Sequence, residues 1–351
     1  MDEITIGDAV TVGAGVTYGE LGPYLDSTGL ALHNLASLPH ISIAGACATA
    51  THGSGEKLGN LATAVSAMEM VIADGSVVKL SRGSPDFAGA VVGLGALGVI
   101  TRVTLDVEPA YSMRQYVYEN LPLAQMADHF DEIQASGYSV SLFTDWQKQR
   151  INELWIKARA EFAAPQEFFG ATLATRNLHP IGDLSAEHCT EQRGVPGPWY
   201  DRLPHFRMGF TPSAGKELQS EYFVARRNAV DAILAVEKLR ERVSPHLLVT
   251  EIRTIAADDL WMSPCYRRPS VAIHFTWKPD WASVRRLLPI IEKQLAPFEP
   301  RPHWGKLFTM APAELQSRYE RLDDFRRLAA QYDPQGKFRN EFLDTNLFAK
   351  Y

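Results

Sequence analysis

The chain has 351 residues, 46% hydrophobic and 22% charged, which supplies enough apolar volume for a substantial core divided between two lobes. A formal net charge of −6, with Lys and Arg scattered, provides no basic surface to draw nucleic acid or an anionic membrane. Cys47, Cys189 and Cys265 are widely spaced and form no CxxC pair, which argues against a disulfide framework and a metal site and fits a reducing cytoplasm. The opening residues lack the basic and apolar regions of a secretion signal, and no apolar run is long enough to cross a bilayer. A cytoplasmic protein is expected, and nothing demands more than a monomer.

The chain enters a strand pattern almost at once, Ala9 to Val12, as though a leading element were missing. Gly13-Ala14-Gly15 follows, then a helix around Tyr18 to Ser27 closed by Gly29, and an extended stretch to Leu35. Residues 42–55, SIAGACATATHGSG, are almost all small, which suits a backbone that a ligand approaches closely. Glu69 to Leu80 reads as a hairpin with a two-residue turn at Asp74-Gly75. Gly93 to Gly98 matches GxGxxG, but a helix near Pro85 to Val92 precedes it and a strand, Val99 to Val107, follows. A dinucleotide fingerprint requires the reverse order, so this is read as a turn. Pro109-Ala110 is the seam between lobes.

Beyond the seam the pattern predicts strands near Tyr111 to Tyr118, Ser139 to Thr144 and Trp155 to Ala160, and helices over Leu123 to Gln134 and Arg226 to Val243. Residues 161–215 read as an irregular, ordered loop over a site. A single helix is predicted from Pro312 to Gln331, ended by Asp333-Pro334. The overall class is α+β.

Three stretches carry candidate chemistry. In Ser270 to Trp277, period two sets Val271, Ile273, Phe275 and Trp277 against Ala272, His274 and Thr276, so one face is core and the other polar. That polar face reads either as solvated or as part of a site. In Leu248 to Ile255, Glu251 and Arg253 share a face with Val249 and Ile255, which reads equally as a salt bridge or as an acceptor and a cation facing a polar ligand. Lys306 follows His303-Trp304-Gly305, while Gln219 and Glu221 are period-two neighbours; alone, each is more readily a surface group. Together these residues resemble a pocket for a many-hydroxyl substrate. Removing hydride from a carbinol carbon needs a base or cations that stabilise the developing alkoxide, which Arg253, Lys306 and His274 could provide. No side chain accepts hydride, so a redox cofactor is required.

The stretches NLASLPHISIAG (34–45) and ATATHGSG (48–55) are similar to the flavin-binding core of the alditol (xylitol) oxidases. These are flavoproteins of the p-cresol methylhydroxylase type that group with the aldonolactone oxidases. The resemblance runs on through GALGVIT (95–101), FTDW (143–146), CTEQ (189–192), GPW (197–199), ELQSEY (217–222), EIR (251–253), HFTW (274–277), RPHWGK (301–306) and DPQGKF (333–338). It implies an FAD-binding domain over 1–110, incomplete at its N-terminus, a substrate-binding cap with a mixed or antiparallel sheet and flanking helices over 111–310, and a helical segment over 311–351 returning to the flavin domain. By the same resemblance Ser37, Ser42, Gly45, Thr49, Ala50, Thr51, His52 and Ile100 contact FAD. Ser37, Glu251, Arg253, Thr276 and Lys306 meet a polyol, with Gln219 and His274 nearby. The implied reaction passes hydride from a terminal carbinol of xylitol or sorbitol to the flavin and electrons to O2, giving hydrogen peroxide; the alternative within the family is a D-arabinono-1,4-lactone oxidase. Relatives also carry an earlier GSGHS segment whose histidine bonds covalently to FAD. This sequence lacks it, so covalent attachment through that residue is not expected, and an inactive remnant or binding scaffold is a further reading.

Overall fold

Alternating apolar residues build two antiparallel sheets, and the computed structural model describes residues 5–6, 9–159, 162–182, 184–209 and 217–349. In the first half, β1 (Ala9–Gly13) leads through a Thr17 cap into α1 (Tyr18–Ser27), and α2 (Ile43–Ala48) is a short helix within the small-residue tract. The Thr17 hydroxyl and the Glu20 carboxylate satisfy each other's backbone N–H groups, a capping box that fixes where α1 begins. Strands β2 (Val65–Val71), β3 (Val77–Ser81) and β4 (Val99–Asp106) complete a sheet ordered β1-β4-β2-β3, with Thr5–Ile6 paired outside β1.

The second sheet contains β5 (Ser112–Pro122), β6 (Ser139–Thr144), β7 (Arg150–Ala158), β8 (Leu218–Ala225), β9 (Leu247–Ile255) and β10 (Ser270–Trp277). Its central order is β5-β7-β6-β9-β10-β8. One face, with Leu142, Leu154, Ile252, Ile273, Phe275 and Tyr222, packs against α3 (Ala229–Glu237) and α4 (Trp281–Leu295). Helix α4 buries Val284, Leu287, Leu288, Ile291 and Leu295, an i, i+3, i+4, i+7 stripe that matches the face it covers. Near the C-terminus, α5 (Leu322–Tyr332) sends Leu322, Phe325 and Leu328 into the core beneath the first sheet, where Trp199, Leu203, Met262 and Trp304 also lie. No helix among the described residues is long and apolar enough to cross a membrane.

Several local expectations change. The β2–β3 hairpin closes through Ile72 to Gly75, with positive φ at Gly75 alone among the turn residues and Ile72 N–H bonded to the Ser76 carbonyl. Only the glycine needs the left-handed region, so the turn is not the two-residue type expected at Asp74-Gly75. The helix expected over Leu123 to Gln134 breaks at His129 (φ −122, ψ 22), and that expected over Arg226 to Val243 breaks at Leu239 (φ −94, ψ 3). The helix expected from Pro312 to Gln331 is interrupted where the Tyr319 ring packs 4.7 Å from Trp304, tertiary packing overriding helical periodicity. Segment 93–98 is a turn, with Leu94, Gly95 and Gly98 at positive φ, between a short helix at Phe87–Ala90 and β4.

Candidate functional site

The second face of the large sheet is also largely buried, with Gln219 and Thr276 half-buried, so its polar residues are not the solvated edge that alternation allows. Register places His274 opposite both Glu251 and Glu221, Thr276 opposite both Val249 and Gln219, and Ala272 opposite Arg253 and Phe223. On β6, Phe143 faces Glu251 and Ser141 faces Arg253. Three adjacent strands therefore bring Glu251, Arg253, His274, Thr276, Gln219 and Glu221 onto one patch. Period two on each strand fixes the side, and the ladder fixes the neighbours.

Glu221 is the hub of that patch and is 0% exposed. Its Oε1 accepts from Arg253 Nη2 at 2.9 Å and lies 3.1 Å from His52 Nε2, while Oε2 accepts from Lys306 Nζ at 2.5 Å. Burial by itself would raise the Glu221 pKa, but Lys306, His52 and Arg253 outweigh it and hold the carboxyl well below its usual range. The same contest at Glu251, between burial and the cations led by Arg253, also ends below the usual range. Arg253 additionally donates to Ser37 Oγ at 3.3 Å and to the His52 carbonyl at 3.5 Å. His274 is held neutral, pushed down to about 3 by burial and then by Lys306. Its Nε2 lies 3.3 Å from Gln219 Oε1, and its Nδ1 has no partner.

These groups line a cavity of about 510 Å³. Of the residues expected from sequence, Ser37, Thr49, Thr51, His52, Gln219, Glu251, Arg253, His274, Thr276 and Lys306 border it. Ser42, Gly45, Ala50 and Ile100 do not: Ser42 and Gly45 lie at the start of α2, Ala50 is buried just after it, and Ile100 pairs with Met70 in the first sheet. The cavity lining combines two kinds of group. Ser37, Leu38, Ile41, Thr49, Thr51 and Gly305 offer short side chains, apolar contact and hydroxyls, and a Cβ added at Gly305 would meet nothing nearer than 3.4 Å. That is a cradle suited to a flat heteroaromatic ring with polar edges, the part of FAD that must meet substrate. The charged groups of the same lining, Glu221, Glu251, Arg253 and Lys306, suit a small polar molecule.

Alone in the sequence, Glu221 reads as a surface group, although its period-two relation to Gln219 places both on one face. His205, His303 and Phe143 were missed, as were His179 to Ile181, Leu184 and Phe206 from the loop segment. His205 had no periodic signal because it lies in irregular chain, and only the reading of residues 161–215 as a loop over a site pointed there.

An FAD binding domain matches residues 2–81, and a D-arabinono-1,4-lactone oxidase family matches residues 212–346. The chain is 50% identical over 342 residues to an alditol oxidase of a Streptomyces species, covering 97% of this chain and 82% of that protein. It is 29% identical over 354 residues to an L-gulono-1,4-lactone dehydrogenase of Mycobacterium tuberculosis, covering 95% and 80%. Among solved structures, cholesterol oxidase from B. sterolicum superposes with a TM-score of 0.77 at 15% identity, over 98% of this chain and 82% of that one, a similarity of fold.

Proposed function

The chain belongs to the FAD-dependent oxidoreductase family of the alditol oxidase and the aldonolactone oxidases, and we propose that it oxidises the terminal carbinol of a polyol such as xylitol or sorbitol. The observation that carries this reading is the convergence of Arg253 and Lys306 on one buried carboxylate, beside the neutral His274, in a cavity lined with hydrogen-bonding groups. Bound FAD supplies the hydride acceptor, and its reoxidation by O2 gives hydrogen peroxide.

In this reading Ser37, Thr49, Thr51 and His52, which border the cavity, hold the ring end of the cofactor, and Ser42, Gly45, Ala50 and Ile100, which lie outside it, hold the rest, within a flavin domain over residues 1–110 that the segment 311–351 rejoins. The cap over 111–310 presents the substrate. Glu251, Thr276, Gln219 and Ser37 bind hydroxyl groups, and Arg253 and Lys306 stabilise the alkoxide as the reacting hydroxyl loses its proton. His274, whose ring borders the cavity, takes that proton. Burial, the larger cause of the low His274 basicity, persists, while the alkoxide forming beside the ring offsets the second cause, the Lys306 charge.

The test is anaerobic addition of xylitol to the flavin-loaded protein, followed by flavin absorbance, with an aldonolactone in parallel. Bleaching by xylitol and not by the lactone supports the reading. Bleaching by the lactone alone moves the assignment to the aldonolactone oxidases, and a protein that never takes up FAD leaves a binding scaffold.

A further inference from the structure

A second buried polar chain lies behind Glu251. Lys157, on β7, is 1% exposed, and its Nζ donates to the Leu203 carbonyl at 2.5 Å, to the Pro204 carbonyl at 3.1 Å and to His205 Nδ1 at 3.1 Å. An ammonium has three donors and no acceptor, so every hydrogen is used and Nδ1 must offer its lone pair. The ring proton therefore sits on Nε2, which donates to Glu251 Oε1 at 2.7 Å. Phe143 and Trp155 meet the His205 ring edge-on at 5.4 and 5.1 Å and block its rotation.

We propose that Lys157 is a positioning residue: by fixing the tautomer of His205 it makes His205 a donor to Glu251, and so aims the remaining lone pairs of Glu251 at a substrate hydroxyl. The role of Glu251 here rests on the polyol reading above. The tautomer does not, so the two can fail separately.

Below about pH 7, where Lys157 is an ammonium, the electrostatics agree with the geometry. Burial, followed by Lys157, lowers His205 to about 4 and keeps the ring neutral. Burial pushes the Lys157 ammonium down to about 7, Glu251 and Cys189 oppose that shift, and Arg253 and Arg202 add to it. Were Lys157 neutral, two donors would serve three acceptors. The ring could then carry its proton on Nδ1, which would set an acceptor nitrogen against the Glu251 carboxylate.

Two measurements decide the matter. Long-range 1H–15N correlation of the histidine rings at pH 6, assigned with a His205→Gln control, should show His205 neutral with its proton on Nε2. In a double-mutant cycle, Lys157→Met should raise KM for the polyol about tenfold or more, with kcat changing less, when residue 205 is His. In the His205→Gln background, whose amide has no tautomer, Lys157→Met should change KM little. A proton on Nδ1 in the native protein overturns the proposal, as does an equal Lys157→Met penalty in both backgrounds, the mark of a lysine that only ties the 203–205 loop to the sheet. If Lys157→Met does not fold, Lys157→Leu replaces it in the same cycle and is judged by the same criterion, because the Glu251 carboxylate alone would also keep the native proton on Nε2. If no polyol reduces the flavin, the polyol reading fails while the tautomer is still tested.

Discussion

Glu221 accepts from Arg253 at 2.9 Å with neither side chain more than slightly exposed, and the same carboxylate holds Lys306. Two cations and one anion meet here, Glu221 and Arg253 almost wholly buried and Lys306 at the cavity wall with 17% of its side chain exposed, so each charge depends on the others. Glu221→Gln keeps the shape and removes the charge, leaving Arg253 and Lys306 to repel across the cavity. A fall in kcat/KM of about 100-fold is expected, with flavin content retained. Glu221→Ala also removes the hydrogen bonds and should cost about 3–5 kcal/mol of stability. Steady-state kinetics and chemical denaturation on the two variants check this, and equal stability of Glu221→Ala and the native protein would refute it.

Acid should unfold the protein through its buried site. His52, His205, His274 and His303 all have lowered pKa values, burial being the first cause in each. The unfolded chain binds their protons below about 6.5 and the folded chain does not, so stability falls as pH drops through that value. Glu221 and Glu251, with lowered pKa values, contribute stability that is present above about 4.5 and lost as pH falls below it. Glu153, raised by burial to about 7, and Asp258, raised to about 6, act in the opposite sense, so the net slope is smaller than the histidines alone would give. His274→Asn isolates one member: between pH 6 and 5 its stability should fall by about 1.4 kcal/mol per pH unit less than that of the native protein. An unchanged slope would mean that His274 is not held neutral.

How far the site could be read in advance follows from where each residue sits. Glu251, Arg253, His274, Thr276 and Gln219 lie in strands whose alternation specifies a face, so their company was legible once the strands were recognised. That the polar face is buried was not legible, because alternation is the same whether water or a loop covers it. His205 and Lys157 show the limit more sharply. Lys157 carries no signal beyond its strand pattern, and its three acceptors come from chain 46 to 48 residues away in a segment without periodicity. The helix breaks at His129 and Leu239 carry no proline or glycine to announce them.

The small-residue tract holds a packing requirement separate from any ligand. A Cβ added at Gly53 would lie 2.3 Å from the Leu35 carbonyl oxygen and 2.4 Å from Asn34 Oδ1. Asn34 is itself buried, with Oδ1 accepting from Leu35 N–H at 2.9 Å, so neither obstacle can swing aside. Gly53→Ala must therefore displace backbone next to His52, at a cost of about 2–3 kcal/mol. Gly15 is exposed, lies outside the left-handed region, and has nothing within 4 Å of an added Cβ. Gly15→Ala should stay within about 0.5 kcal/mol of the native protein. Thermal unfolding of the two variants side by side gives the answer: a drop of several degrees for Gly53→Ala and none for Gly15→Ala. Equal melting temperatures would mean that the 34–35 backbone yields, and that the glycine at position 53 serves only the approach of a ligand.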